Sequence, residues 1–442
     1  MTCRHLAALD AGLGSGSSSP PAAESGFTID ASRITFGAGV LAEVGPRARA
    51  LGIKRVALIT DRTVRGLPWF DEVERSLRAA SVAPIVFDEV AIEPTEASWE
   101  DAIHFARDAK PDGYISLGGG STIDTAKVAN LYTSHPAVFS TYINSPLGDG
   151  QPVPGPLAPH LACPTTAGTG SEVTGIAIFD WHAHRAKTGI SSPMLRPTEA
   201  IVDPRVTHTL PPAVVAAAGM DVLCHALESF TARPFSSRAA PHPPLARPAS
   251  QGRNPWSDIG CREALRLCGA HLAEAVAGDR FSREQMMWAA TLAGIAFGNA
   301  GVHVPHAMAY AVAGQVKAFR APGYPDLALI PHGMAVAVAA PAVFRATGVT
   351  APARHFEAAQ LLGADTLAHT HDTGGELLAT RFIALMQQVA IPNGLTGVGY
   401  ERGDITNLVE GALPQTRLLS NAPLTVDAGV LATLFERALE YW

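Results

Sequence analysis

From Phe27 onward, short runs of aliphatic and β-branched residues alternate with longer stretches whose apolar positions recur at three and four residues. The runs RVALITD (55–61), PIVFDEV (84–90) and GYISLGGG (113–120) are separated by WFDEVERSLRAAS and ASWEDAIHFARDA (97–109), which carry helical spacing. Two further strand-like runs follow, HLACPTT (160–166) and EAIVDP (199–204). Apolar strands alternating with helices predict a parallel sheet between helical layers, an α/β unit. After Leu210 the period changes. PPAVVAAAGMDVLCHALESFTA, SDIGCREALRLCGAHLAEAVAG and REQMMWAATLAGIAFGNA have apolar helical faces, and strand-like runs become rare, so an all-α unit is predicted. The boundary is placed near residue 208, giving an α/β domain over 27–208 and a helical domain over 209–442. A proline- and arginine-rich segment without periodicity, residues 232–255, interrupts the helices. An irregular connection of that length is usually functional or flexible. Residues 1–26 are largely Gly, Ser, Pro and Ala, offer little to bury, and are expected to be a flexible segment.

The length of 442 residues agrees with two domains, and 47% hydrophobic against 17% charged residues describes a globular chain. A net charge of -7 with no block of Lys and Arg argues against nucleic acid and against a polybasic membrane anchor. Cys3, Cys163, Cys224, Cys261 and Cys268 are odd in number and form no C-x-x-C pair, which disfavours a disulfide framework and a thiolate zinc site. No run is read as a bilayer span, and no secretory signal is recognised. A soluble protein of a reducing compartment is expected: cytoplasmic in a bacterium, mitochondrial matrix in a eukaryote. The matrix is disfavoured by an N-terminal segment whose one basic residue, Arg4, stands beside Asp10 and Glu24.

The strand ending at Leu117 runs into GGGSTIDTAK (118–127), glycines at a strand's carboxyl end with a helix beginning near Ser121. Glycines let backbone approach a pyrophosphate, and a helix N-terminus offers unpaired N–H groups and a favourable dipole. A lone turn of this kind equally well joins a strand to a helix. A second loop, PTTAGTGSEVT (164–174), shifts the balance toward a dinucleotide crevice. The candidate cofactor contacts are Gly118, Gly119, Gly120, Ser121, Asp124, Thr165, Thr166, Thr169 and Ser171. Asp61, at the end of the first strand, is placed either to bond the adenosine ribose, favouring NAD over NADP, or to cap the next helix.

Asp221 and His225 in GMDVLCHALES are spaced i, i+4 on a predicted helix and share a face. His306 in GVHVPHAMAY and His332 in the loop-like IPHGMAV extend them to a set of three imidazoles and one carboxylate, suited to Fe(II) or Zn(II). Chance proximity competes with this reading in a chain of 16 histidines. His242, His303, His355, His369 and His371 are left as packed or solvated, with His303, one turn before His306, the nearest to an active-site role.

Taken in order and spacing, GGGSTIDTAK, PTTAGTGSE, GMDVLCHALES, VPHAMAY and PHGMAV resemble the iron-dependent (group III) alcohol dehydrogenase family across nearly the whole chain. The resemblance implies the dehydroquinate synthase-like fold: an α/β N-terminal dinucleotide-binding domain and an all-α C-terminal domain enclosing a cleft. It also implies a metal held by Asp221, His225, His306 and His332, with Fe(II) first and Zn(II) second. GGGSTIDTAKVANLY, GTGSEVTGIAIFD, QGRNPWSDI and FGNAGVHVPHAMAYAVAGQVKAFRAPGYP resemble its hydroxyacid-oxoacid transhydrogenase branch. Members of that branch oxidise 4-hydroxybutyrate to succinate semialdehyde while reducing 2-oxoglutarate to 2-hydroxyglutarate through NAD. Where simple alcohol dehydrogenases often carry a further His near the nicotinamide, this chain has Tyr310, as that branch does.

The expected chemistry is hydride transfer between a metal-polarised carbinol and NAD, with His306, His332 and Tyr310 at the reacting centre. A carboxylate substrate calls for a cation, and Arg is suited to bidentate binding. The candidates are Arg233, Arg238, Arg247 and Arg253 in the irregular loop, with Lys317 and Arg320 after the third ligand; singly, each also reads as a solvated surface charge. The partners expected are a small hydroxy acid and an oxoacid, or an alcohol and aldehyde, and a second copy of the chain in a homo-oligomer, a dimer. Two alternatives stand: a dehydrogenase of 4-hydroxybutyrate or a simple alcohol that releases NADH, and a lyase similar to dehydroquinate synthase.

Overall fold

The computed structural model describes residues 23–184 and 186–442. The first half is a six-stranded sheet of β1 (Arg33–Phe36), β2 (Arg55–Ile59), β3 (Ala83–Phe87), β4 (Gly113–Gly118), β5 (His160–Pro164) and a last strand, Glu199–Val202, here β8. Its order is β1-β8-β5-β4-β2-β3, and every pairing is parallel. The central strands β4, β5 and β8 are buried along their whole length, which is why they read as unbroken apolar runs; the edge strands β1 and β3 are only half-buried. Helices α1 (Val44–Ala50), α2 (Arg62–Arg65) and α3 (Pro68–Ala79) precede α4 (Glu96–Ala109) and α5 (Gly120–Ser134). Val56 and Leu58 of β2 join the core of α1 and α3, whereas Ala57 and Ile59 join that of α4 and α5. The sheet therefore carries helices on both faces. The chain leaves β2 toward β3 and returns to β4 on β2's other side, so a switch point lies between the carboxyl ends of β2 and β4.

An antiparallel hairpin, β6 (Ile176–Trp181) and β7 (Ala186–Ser191), packs on α4 and α5. The pattern of strands and helices did not predict it. The second half is helical: α6 (Pro212–Thr231), α7 (Pro255–Ala277), α8 (Arg280–Ala300), α9 (Val304–Gly314), α10 (His332–Ala337), α11 (Ala340–Thr347), α12 (Pro352–Leu361), α13 (Gly374–Gln388), α14 (Ile405–Ala412), α15 (Thr416–Leu419) and α16 (Ala428–Arg437). Helix α6 runs through its middle, buried from Val215 to Thr231 apart from Ala218. Among the described residues it is the helix long and apolar enough to cross a bilayer, contrary to the expectation that no run qualifies. It is apolar because α7, α8 and α10 surround it.

Two glycines set the approach of the elements around the cleft. A Cβ on Gly333 would lie 2.1 Å from the Ala217 carbonyl, so only glycine lets α10 rest on α6. Gly170, at φ +60°, brings its loop to within a Cβ's 2.5 Å of Gly294 in α8. Residues 23–26, expected to be flexible, are tied down: Ala23 pairs with Ala239, and Glu24 bonds Arg247 at 3.0 and 3.1 Å. The rest of the predicted flexible segment, with Cys3, lies outside the described residues.

Candidate active site

Because all six strands are parallel, their carboxyl ends meet one edge, and a cavity of about 440 Å³ opens there against α6 and α10. Asp61, Gly119, Gly120, Ser121, Thr165, Thr166 and Thr169 line it, at the switch point between β2 and β4. Gly118 ends β4 just behind the wall, where a Cβ would strike the Thr122 side chain at 2.3 Å. The N-cap of α5 is Gly119 and gives no side-chain cap, leaving the helix's first N–H groups for a ligand. Asp61 does cap α2, accepting from the Thr63 and Val64 N–H groups at 2.9 Å, and both bonds use Oδ1. Capping and cavity lining thus fall to the same side chain.

Asp124 and Ser171, expected among the cofactor contacts, line a second cavity of about 100 Å³ instead. There they bond one another, and Lys127 Nζ reaches Ser171 Oγ and the Ile176 carbonyl, each at 2.6 Å. Asp124 Oδ2 accepts from Ile178 N–H at 2.9 Å, so the network fastens α5 to the hairpin. Burial pushes the Lys127 ammonium down to about 8 and the Asp124 carboxyl up, each only partly offset by the other.

His225, His306 and His332 line this second cavity, and Asp221 lines the first beside it. The Nε2 atoms of His225, His306 and His332 lie 3.7, 3.6 and 3.8 Å from one atom, Asp221 Oδ1. Ligands held tetrahedrally at about 2.1 Å from a cation stand roughly 3.4 Å apart, so the spacing suits a shared ion. Asp221, His225 and His306 form the tight cluster, fully buried, while His332 completes it from the more open side. Asp221 Oδ1 and His306 Nε2 are buried without a hydrogen-bond partner, as atoms that coordinate a cation would be. His332, expected in a loop, is the first residue of α10.

Glu228, one turn beyond His225 in α6, accepts from His306 Nδ1 at 2.6 Å and from the His303 backbone N–H at 2.7 Å. A carboxylate on Nδ1–H leaves the Nε2 lone pair for a metal and orients the ring. Burial lowers the His306 pKa, but Glu228 and Asp221 outweigh it and raise it to about 9. Burial brings His225 down to about 4, and its ring stacks on Phe297 at 4.1 Å. His303 is packed in the core, its Nε2 3.0 Å from Thr231 Oγ1. Glu228 was missed although its i+3 spacing from His225 puts it on the ligand face of α6.

The six cations expected to bind substrate lie elsewhere. Arg233, Arg238 and Arg247 line a separate cavity beside Glu24, and Arg253 lines neither of the two described above. Lys317 pairs with Asp404 at 2.6 Å and Arg320 with Asp326 at 2.7 Å, both exposed. Proline turns direct the loop to the segment around Ala23 and Glu24 rather than inward. The cations that do line the second cavity are Lys187, from the unpredicted hairpin, and Arg417, the second residue of α15. Lys187 is held by Glu93 at 2.6 Å and Asp180 at 3.0 Å. Tyr310, four residues after His306 on α9, lines the same cavity, and burial raises its pKa.

Two family models match the chain: "Iron-containing alcohol dehydrogenase" over residues 31–204 and "Fe-containing alcohol dehydrogenase family, C-terminal" over 249–439. The chain is 44% identical over 421 residues to the mitochondrial hydroxyacid-oxoacid transhydrogenase of Bos taurus, covering 94% of this chain and 90% of the relative. Among solved structures it resembles a 1,3-propanediol oxidoreductase, with TM-score 0.81, 28% identity and coverage of 93% and 99% of the two chains. It also resembles sulfoacetaldehyde reductase from Bifidobacterium kashiwanohense in complex with NAD+, with TM-score 0.74, 25% identity and coverage of 94% and 98%.

Proposed function

The chain belongs to the iron-containing alcohol dehydrogenase family, and on that premise we propose that it is a hydroxyacid-oxoacid transhydrogenase. It oxidises 4-hydroxybutyrate to succinate semialdehyde and reduces 2-oxoglutarate to 2-hydroxyglutarate, using NAD and a divalent metal, Fe(II) before Zn(II). One observation carries the reading: the large cleft and the histidine-lined cavity share Glu93, Gly120, Ser121, Thr169 and His332. A nucleotide on the α5 N-terminus therefore ends where the three imidazoles converge. When bound, the metal draws charge from the substrate oxygen and NAD takes up and returns the hydride.

The protein's own part is to hold these groups and keep water out. Asp221, His225, His306 and His332 would hold the metal; Glu228 aims His306, Phe297 supports His225, and the Gly333 contact seats His332 over Asp221. Gly119, Gly120, Thr165, Thr166 and Thr169 would take the pyrophosphate side of NAD, with Asp61 toward the ribose. Membership of this family weighs against the dehydroquinate synthase-like lyase.

The test is the dependence of turnover on an oxoacid. The transhydrogenase converts 4-hydroxybutyrate only when 2-oxoglutarate is supplied and yields 2-hydroxyglutarate in equal amount. Net accumulation of NADH from hydroxybutyrate and free NAD, with no effect of oxoacid, would identify the NADH-releasing dehydrogenase instead. Metal and nucleotide released on denaturing the purified protein identify both cofactors. The Bos taurus relative is named as mitochondrial; the compartment proposed here is the matrix in a eukaryotic cell and the cytoplasm in a bacterial one, and the assembly proposed is a homodimer.

A further inference from the structure

Two non-histidine cations line the histidine-bearing cavity, and their circumstances differ. Lys187 is neutralised by Glu93 and Asp180, within 2.6 and 3.0 Å. Arg417 has no carboxylate within ion-pair reach among the described residues; its side-chain bond is from Nη1 to Ser250 Oγ at 3.2 Å. Arg417 is half-buried, and a guanidinium partly withdrawn from water without an anion is stabilised when an anionic ligand enters beside it. Burial does depress the Arg417 pKa, and the neighbour that opposes this is Tyr310. Tyr310 stands one helical turn past His306 on α9, so its side chain shares a face with a metal-site imidazole. Among the described residues its hydroxyl has no hydrogen-bond partner, and its ring lies 6.1 Å from that of His332. The wall of this cavity therefore runs from His306 and His332 past Tyr310 to Arg417.

We propose that Arg417, assisted by the Tyr310 hydroxyl, binds the substrate carboxylate that lies three bonds from the reacting carbon, and that this single contact serves both half-reactions. The identity of the two acids rests on the transhydrogenase reading. In 4-hydroxybutyrate the carboxylate carbon is three bonds from the carbinol carbon. In 2-oxoglutarate the distal carboxylate carbon is likewise three bonds from the keto carbon. An anchor at a constant distance from the imidazole cluster would place either reacting carbon at the same point before the nicotinamide, so one cavity can exchange an alcohol for a ketone. A planar two-pronged donor suits this task better than an ammonium.

The test compares acids with partners that lack the distal charge, in the metal- and NAD-loaded protein. Calorimetric titration is made with 2-oxoglutarate and with 2-oxopentanoate, which has the same chain length but no distal carboxylate. The unmodified protein should prefer 2-oxoglutarate about 10- to 100-fold, as expected for a charge-assisted contact. Arg417→Gln should erase the preference, and Arg417→Lys should restore part of it. The KM for 4-hydroxybutyrate should rise by a similar factor in Arg417→Gln, and more than that for 1-butanol. Melting temperature and metal content of the variants report folding; if Arg417→Gln does not fold, a reduced preference in Arg417→Lys carries the test. An Arg417→Gln protein that keeps the preference, or an unmodified protein that has none, overturns the proposal. If the preference depends on Arg417 but no hydride passes between the two acids, the transhydrogenase reading fails and the carboxylate anchor stands.

Discussion

The nucleotide cleft and the metal pocket share part of one wall, yet they are made of different materials. The cleft is lined on one side by glycines, threonines and the open end of α5, on loops that leave one parallel sheet, and on the other by α6 and α10. The metal pocket is made of side chains from α6, α9 and α10, helices more than a hundred residues apart at their extremes, whose imidazoles meet at Asp221 Oδ1. In the proposed reading the cleft serves because side chains are missing where a ligand's phosphates would pass, and the pocket serves because Asp221 Oδ1 and His306 Nε2 are buried where no protein partner satisfies them. The first should therefore fail when atoms are added, and the second when they are removed.

The strongest break of that contrast is on the metal side. His306→Ala should strip bound metal and cut kcat/KM roughly 10³-fold or more, the several kcal/mol a Lewis acid supplies, as read by elemental analysis and turnover. Retained metal with full turnover would contradict the ligand set. On the cleft side, Gly120→Val places a Cβ 2.6 Å from the Thr169 side chain. It should weaken NAD binding by about 5- to 100-fold, the range of overpacking costs, while metal content stays at the unmodified level. Joint loss of metal and nucleotide would show the two halves to be less separate than argued.

Glu228→Gln sharpens the comparison by leaving all four ligands in place. Loss of the carboxylate on His306 Nδ1 should lower metal affinity about 10- to 100-fold, measured by chelator competition, with nucleotide affinity little affected. Glu172 follows Ser171 in the short helical turn Ser171–Val173 and has a carboxyl that burial pushes up to about 7. The folded protein therefore holds this proton where the unfolded chain has lost it, and the stability so contributed declines as pH rises from about 4.5 to about 7. Glu172→Gln should flatten that part of the stability curve and raise stability at pH 8 by up to about 3 kcal/mol, followed by denaturant unfolding; an unchanged slope would remove Glu172 as its source. The smallest effect is expected at Lys317 and Arg320, exposed and paired away from both cavities. Replacing both with Met should shift the KM for 4-hydroxybutyrate by less than about twofold.

The same contrast governs what could be read without coordinates. Strands β2, β4, β5 and β8 were legible because burial on both faces leaves an apolar run, and the long helices because their apolar stripes keep a helical period. Asp221 and His225 were legible because four residues make about one helical turn. The hairpin escaped because β7, AKTGIS, is buried through its middle yet carries a single large apolar residue, and β6 is buried only at alternate positions, a weak signal beside the surrounding runs. The arginine-rich loop misled because composition reports charge but not direction: Arg247 was bound for Glu24, more than two hundred residues earlier.

By itself the sequence determined the classes of element, the glycine-rich turns and the types of ligand, since these depend on local periodicity and on chemistry intrinsic to each residue. Tertiary structure alone decided that three Nε2 atoms meet one carboxylate oxygen, that Asp124 and Ser171 face the second cavity, and that Arg417 rather than the arginine-rich loop reaches it. Those outcomes depend on how helices distant in sequence pack, down to the absent Cβ of Gly333 that lets α10 rest on α6, and no local pattern encodes such a distance.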